Sequence, residues 1–332
     1  MRKIISYAIL GLFTLLLACE RDEGDSRVVI PDFNYPQTVV FNPSLSSYRI
    51  FTGNPASLVP DSSFQLLELN ASLYSDYSSK QRLVSIPEGT EISKQADGAL
   101  SFPDGSILVK TFYYWNDARD TSLGKRIIES RLLIKERNTW NAASYLWDST
   151  QTEAYLRLDG HDLPISWVNA SGQNRSTMYH VPNENECIAC HQSNDKMSPL
   201  GPKLRNLNRQ VERNGSSLNQ IQHLQNLGLL SNFDLSEVSE IIDYNDPSQS
   251  LSSRGRSYLE MNCAHCHNPS GWDPAARQDL DFRYSTPFAQ SGIGAEKDRI
   301  SDLLRSGEMP FIGTTLRHEE GLSLMINYLN SL

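Results

Sequence analysis

The chain is 332 residues long, 39% hydrophobic and 21% charged, with a formal net charge of −9. That length houses two or three domains with separate cores, and the composition is that of an ordinary globular protein. The negative balance argues against nucleic acid, whose binding rests on cations neutralising phosphates, and leaves room for a basic protein partner.

Arg2 and Lys3 form a basic start, and Ile4 to Leu17 is a mainly apolar run of fourteen residues. A bilayer-spanning helix takes roughly twenty residues, so the run reads as an export signal. It ends in Leu16-Leu17-Ala18-Cys19, which resembles a bacterial lipobox. The resemblance implies that residues 1–18 are removed, taking Arg2 and Lys3 with them and the charge from −9 to −11, and that Cys19 carries a lipid. The alternative is an ordinary cleaved signal with a chance cysteine after it. Residues 19–36, with the acidic stretch Glu20 to Asp25, read as a flexible tether. Glu20 after the cysteine resembles lipoproteins sorted to the outer membrane. No later hydrophobic run approaches spanning length. The expected location is the bacterial cell envelope, on the periplasmic, outer-membrane or surface side, with the lipid as the only membrane attachment.

Residues 37–179 read as a β-rich domain. Ile107 to Trp115 is rich in β-branched and aromatic residues and follows Asp104-Gly105, a hairpin-type dipeptide. Ile127 to Lys135, Tyr145 to Trp147, Ala154 to Leu158 and Ile165 to Val168 are similar runs, with Asp159-Gly160 between the last two. This spacing predicts an antiparallel sandwich or barrel. Trp115, Trp140, Trp147 and Trp167 read as packing residues and His161 as a surface residue. No motif in this half carries chemistry that can be named.

After Tyr179 the pattern turns helical. Leu218, Ile221, Leu224 and Leu227 recur at helical spacing, and Gly228 ends the run. Asp246-Pro247-Ser248 makes a polar break, a second helical unit starts near Arg254, and Leu322 to Leu332 reads as a closing helix. The expected fold is multidomain: an all-β, sandwich-like domain followed by two small all-α modules, 180–248 and 249–332.

Each module holds one cysteine pair followed directly by histidine, Cys187-Ile188-Ala189-Cys190-His191 and Cys263-Ala264-His265-Cys266-His267. CxxCH is the attachment sequence of c-type haem. Two thiols one helical turn apart reach the two vinyl groups on one porphyrin edge, and the next residue presents its imidazole to the iron. The spacing therefore predicts two covalently bound haems c, with His191 and His267 as proximal iron ligands. Two alternatives use the same cysteines: one four-thiolate zinc site, or two disulfides. Zinc gives the histidines no role, and a thioredoxin-like pair belongs in a βαβ setting that this chain lacks.

Ser306-Gly307-Glu308-Met309-Pro310 lies 42 residues after His267. Methionine before proline at this remove resembles the distal loop of class I cytochromes c and implies Met309 as the sixth ligand of the second haem. Gly255, eight residues before Cys263, resembles the first-helix glycine that lets an aromatic of the last helix, here Tyr328, cross closely. Tyr258 stands three positions after the glycine where the family pattern has four. Gly201-Pro202-Lys203-Leu204 resembles the segment whose proline carbonyl accepts a hydrogen bond from the proximal histidine. The sixth position of the first haem is open among Met197, His223, Met261, Met178, His180 and no ligand at all.

With these residues in view, the chain resembles a bacterial family of dihaem c-type cytochrome lipoproteins with a β-rich N-terminal half. The matching segments include SLYSDYSSKQRLVSIPEGT (Ser72 to Thr90), FPDGSILVKTFYY (Phe102 to Tyr114) and IIESRLLIKERNTW (Ile127 to Trp140). They continue through YLWDSTQTEA, YHVPNENECIACH, LGPKLRNLNRQ, YLEMNCAHCHNPSGW and SGEMPFIGT, so the likeness runs from Ser72 to the C-terminus. It implies the three-part architecture and two haems, in a group known mainly as predicted electron carriers. The expected function is electron transfer between redox partner proteins in the cell envelope, without catalytic residues. Two other readings are a dihaem peroxidase with an open first haem, and the electron acceptor of an extracytoplasmic dehydrogenase.

Overall fold

The computed structural model describes Ile30, Phe33, Tyr35 and residues 37–95, 98–272 and 279–332. The expected export signal, Cys19 and the stretch Glu20 to Asp25 lie outside these residues.

Strands β1 (Gln65–Leu66) and β2 (Ser79–Ser85) open the fold, and β3 (Ser93–Lys94) pairs with β4 (Leu100–Ser101) apart from the main sheet. Strands β5 (Ile107–Trp115), β6 (Lys125–Glu136), β7 (Thr139–Trp147) and β8 (Ala154–Arg157) follow. Together they make one six-stranded antiparallel sheet in the order β1-β2-β5-β6-β7-β8. The β6–β7 turn places Arg137 and Asn138 at φ 51° and 59°, the left-handed pair that a two-residue hairpin needs.

Successive strand side chains point to opposite faces, so each central strand feeds two cores. Leu83, Val109, Leu132 and Ala143 pack with Phe41, Leu45, Ile50 and Phe64 of the preceding chain. Their neighbours Val84, Leu108, Leu133 and Ala142 pack with Ile188, Leu204, Leu207 and Ile221 from the C-terminal half. A hairpin of β9 (His161–Val168) and β10 (Asn174–Val181) adds Ile165, Trp167, Tyr179 and Val181 against Tyr114 and Ile128. The sheet is thus covered on both faces, but by irregular chain and helices. Among the described residues no second sheet of comparable size packs on it, which corrects the expected sandwich.

Among the described residues the two expected all-α modules are not seen either. Helix α1 (Glu184–His191) is followed by the hairpin of β11 (Gln192–Ser193) and β12 (Lys196–Met197). Helix α2 (Leu204–Leu207) is followed by the hairpin of β13 (Gln210–Arg213) and β14 (Ser216–Asn219), and then by α3 (Gln220–Asn226). These helices have eight, four and seven residues, too few to enclose a core, and they complete the core of the sheet instead. Leu218 of the supposed helical repeat lies in β14. Asn214 and Gly215, at φ 51° and 76°, turn the chain into a hairpin where the apolar spacing alone suggests a helix.

Beyond residue 248, among the described residues, three helices stand among irregular chain: α4 (Leu251–Asn262), α5 (Lys297–Ser306) and α6 (Glu319–Asn330). Helix α4 begins at Ser250, whose hydroxyl accepts the Ser253 amide at 3.1 Å, four residues ahead of the expected start at Arg254. The close approach read from Gly255 and Tyr328 is present. A Cβ on Gly255 would stand 2.3 Å from Tyr328 Cγ, and one on Gly321 would stand 2.4 Å from the Tyr258 hydroxyl. Each helix offers a glycine to the other's tyrosine, so the crossing admits no extra methyl group at either place.

Replacing Gly255 with valine is therefore expected to cost about 1–3 kcal/mol, the usual penalty for overpacking. Chemical denaturation checks this: the midpoint should fall with the slope unchanged, and an unmoved midpoint would show that the crossing has slack.

Candidate functional site

The first cysteine pair sits on a helix whose start is fixed by a reciprocal cap. Asn183 Oδ1 accepts the Glu186 amide at 3.0 Å, and Glu186 Oε2 accepts the Asn183 amide at 2.8 Å. Cys187 and Cys190 stand three positions apart, so both sulfurs project on one side of α1, with Ile188 and Ala189 buried beside them. His191 closes the helix. Its Nδ1 donates to the Ser198 carbonyl at 2.8 Å, which leaves Nε2 with its lone pair free. Burial, only partly offset by that hydrogen bond, pushes the His191 pKa down to about 4, so the ring is neutral at ordinary pH. The accepting carbonyl precedes Pro199, not Pro202 or its neighbours as the sequence resemblance implies.

Cys187 and His191 open onto a cavity between α1 and the sheet. Leu67, Leu69, Leu108, Leu133, Pro199 and Pro202 give it apolar walls, and it encloses about 80 Å³. Arg82, Lys110 and Arg131 complete the lining from the sheet. These three were missed from sequence. Their signal was a cation in the middle of each of three apolar strand segments, QRLVS, LVKTF and SRLLI, where charges are rarely enclosed without a purpose.

The second pair lies in a turn after α4. The Cys266 and His267 amides both donate to the Cys263 carbonyl, at 3.1 and 2.9 Å. Asn268 Nδ2 ties the turn to the Ala264 carbonyl at 2.8 Å, and a Cβ on Gly271 would meet the Cys266 carbonyl oxygen at 2.1 Å. His267 packs its ring 5.2 Å from Phe282, whose amide donates to the His267 carbonyl at 3.0 Å. Met309 is half-buried in the loop after α5, and Phe311 of that loop stacks on Trp272 with centroids 5.3 Å apart. The loop carrying Met309 thus returns to the chain just after His267.

The fold brings the two motifs together. The Asn194 amide donates to the Ser270 carbonyl at 2.9 Å, and Lys203 meets Glu260 at 2.6 Å. Cys190 lies within electrostatic reach of Cys266, and His265 within reach of His191. Burial pushes His265 down to about 3, so it too is neutral.

Of the candidates for the first sixth position, two are occupied otherwise and one is displaced. His180 Nδ1 pairs with Asp162 at 2.5 Å and its Nε2 with Glu186 at 2.8 Å. Met261 Sδ accepts Asn206 Nδ2 at 3.3 Å. Met178 is 55% exposed on β10. Met197 is buried beside Cys187 in the core under the sheet, and His223 is half-buried on α3. His161 is exposed, as expected.

All four motif cysteines are free thiols, and burial pushes each up to about 12. Disulfide exchange runs through thiolates, which this environment suppresses. Among the described residues no three or more His, Cys, Asp or Glu side chains are placed to hold a metal ion, so the four sulfurs are not gathered as a zinc centre requires. The donor set fits a thioether-bound porphyrin better: paired neutral thiols, an imidazole with Nε2 free, and an apolar cavity with cations along one wall.

No family model matches the chain, and no curated protein or solved structure matches it. The likeness to dihaem lipoproteins rests on the sequence segments quoted above.

The His180–Glu186 pair, which braces the start of α1, makes stability depend on pH. The Glu186 hydrogen bond, against burial and with help from Asp162, raises His180 to about 9 from 6.5. Burial acts against Glu186, but the His180 hydrogen bond prevails and holds its carboxyl below the usual range. The pair's contribution is full below pH 6.5, down to where Glu186 takes up a proton, and fades as pH rises through about 9. His180→Gln is expected to flatten the fall in denaturation midpoint between pH 6.5 and 9, whereas an identical pH profile in both proteins would count against the pair.

Proposed function

We propose that the chain is a dihaem c-type cytochrome that passes electrons between redox partner proteins in the bacterial cell envelope. The observation that supports this reading best is the setting of His191. Its ring is oriented by the Ser198 carbonyl, its Nε2 is free, and it shares an apolar-walled cavity with Cys187. A bound haem supplies a one-electron Fe(III)/Fe(II) couple.

The chain's residues divide the remaining work. Cys187 and Cys190 would hold one haem through thioether bonds to its vinyl groups, and Cys263 and Cys266 the other. His191 and His267 would ligate the irons, and the Met309 thioether, a soft donor that favours the reduced state, would serve the second. The contact between the two motifs supports a relay from one haem to the other. No side chain is assigned a catalytic role.

The test is a pyridine haemochrome assay and intact mass on protein made with a working c-type maturation system. Two haems per chain are expected, and one after joint replacement of Cys187 and Cys190 by alanine. Protein without a Soret band would overturn the reading. Met309→Ala should convert one low-spin EPR signal to high spin and leave the other unchanged.

A further inference from the structure

The sheet wall of the cavity carries an unusual row. Arg82 lies directly opposite Lys110 across β2 and β5, and Lys110 lies directly opposite Arg131 across β5 and β6. Strand periodicity puts all three on the face that receives α1, and all three line the space shared with Cys187 and His191. Like charges directly opposite one another destabilise a sheet, and burial deepens the cost. Such a row calls for negative charge.

The protein supplies only part of it. Glu129, fully buried, holds Arg131 through two hydrogen bonds of 2.5 and 2.9 Å. Lys80, also on this face, donates to the Ser78 carbonyl at 3.1 Å and has Asp76 within electrostatic reach. Arg82 has a neutral partner, the Ser72 hydroxyl at 3.1 Å. Among the described residues no carboxylate and no hydrogen-bond acceptor meets the Lys110 amine, and burial pulls its pKa well below the usual lysine range. Its contact is the Phe112 ring, 4.9 Å away, which Arg131 shares from 4.5 Å. A ring face attracts cations but adds no counter-charge.

From the other elements, Cys190 and His191 of α1 and His265 of the second motif lie within electrostatic reach of Lys110, and none of them is a carboxylate. Arg82 and Lys110 are thus left without a carboxylate bonded to them at the wall of a cavity whose opposite side carries the first CxxCH motif; Glu129 is within electrostatic reach of Lys110 but is bonded to Arg131. A haem c bears two carboxylates, its propionates, on the porphyrin edge away from the thioether-bonded one.

We propose that Lys110, flanked by Arg82, is the seat of the propionates of the haem attached at Cys187 and Cys190. This rests on the haem reading above. The row that burdens the sheet alone becomes a set of charge-assisted pairs once the carboxylates arrive, so haem attachment and packing of α1 on the sheet reinforce each other.

The experiment is resonance Raman spectroscopy and potentiometry on the purified dihaem protein, comparing wild type with Lys110→Met and Lys110→Arg. Arg157→Gln, on the exposed side of β8, is the control for general loss of charge. The propionate-bending band should move in Lys110→Met and stay near its wild-type position in Lys110→Arg, with the first haem's potential falling in the methionine variant. A band unmoved in Lys110→Met, or moved equally in Arg157→Gln, overturns the seat whatever the potential does. If Lys110→Met proves too unstable to purify, Arg82→Gln takes the same measurement with the same two outcomes. A wild-type protein without Soret absorption is a different failure, that of the haem reading itself.

Discussion

Everything at the first site depends on one apposition, α1 laid against the cation-bearing face of the six-stranded sheet. Cys187 and Ile188 are buried with Leu108, Ala142 and Trp140, so the helix carrying the first CxxCH motif is held by the same apolar packing that holds the strands. An eight-residue helix has little stability of its own. Its start is braced by the Asn183–Glu186 cap, and its end by the His191–Ser198 hydrogen bond. If α1 lifted from the sheet, the imidazole would lose its orientation, the cavity its floor, and the thiols the apolar setting that keeps them neutral.

The charges on that face set the terms of the apposition. An ammonium or guanidinium in a low-dielectric setting costs several kcal/mol unless paired. Glu129 supplies one full answer, and the Tyr179 hydroxyl donates to it at 2.6 Å, so the Glu129–Arg131 pair is satisfied on both sides. The rest of the row is not. Natural sequences agree across levels except where function demands a conflict. Here local propensity and apolar alternation agree along β2, β5 and β6, and the conflict is confined to Arg82 and Lys110. That concentration at one cavity wall is what makes the row informative.

What the sequence made legible was local. The two CxxCH motifs, the strand at Ile107–Trp115 and the glycine under Tyr328 are each written within a few residues. What it concealed was register. Arg82, Lys110 and Arg131 are separated by tens of residues, and only strand pairing sets them side by side. The Ser198 carbonyl was hidden for a related reason: the short β11–β12 hairpin folds the chain back on His191 sooner than the Gly201-Pro202 spacing suggests. The missing helical modules have a different cause. Apolar spacing from Leu218 to Leu227 fits a helix, but Asn214-Gly215 forces a hairpin just before it, and a turn dipeptide of that kind outweighs a four-residue pattern.

The loss of independent modules bears directly on the proposed relay. Electron transfer weakens steeply with distance, so a carrier with two haems gains from a fixed separation more than from mobility. Two self-contained modules joined through Asp246-Pro247-Ser248 would leave that separation to a linker. Instead the chain beside the break is stitched to both sides. The Tyr244 hydroxyl donates to the Ser72 carbonyl at 2.6 Å, and its own carbonyl accepts Arg254 Nε at 2.8 Å. Lys203 reaches Glu260, whose side chain is only 4% exposed, and so makes a stronger tie than a fully solvated pair. Asp76, buried near the sheet, accepts the Thr315 and Leu316 amides at 2.9 and 2.8 Å and pins the chain between Met309 and α6. The β-rich half is then more than a neighbour of the motifs. It is the frame against which both are located, and it gives the proposed electron path a single rigid reference.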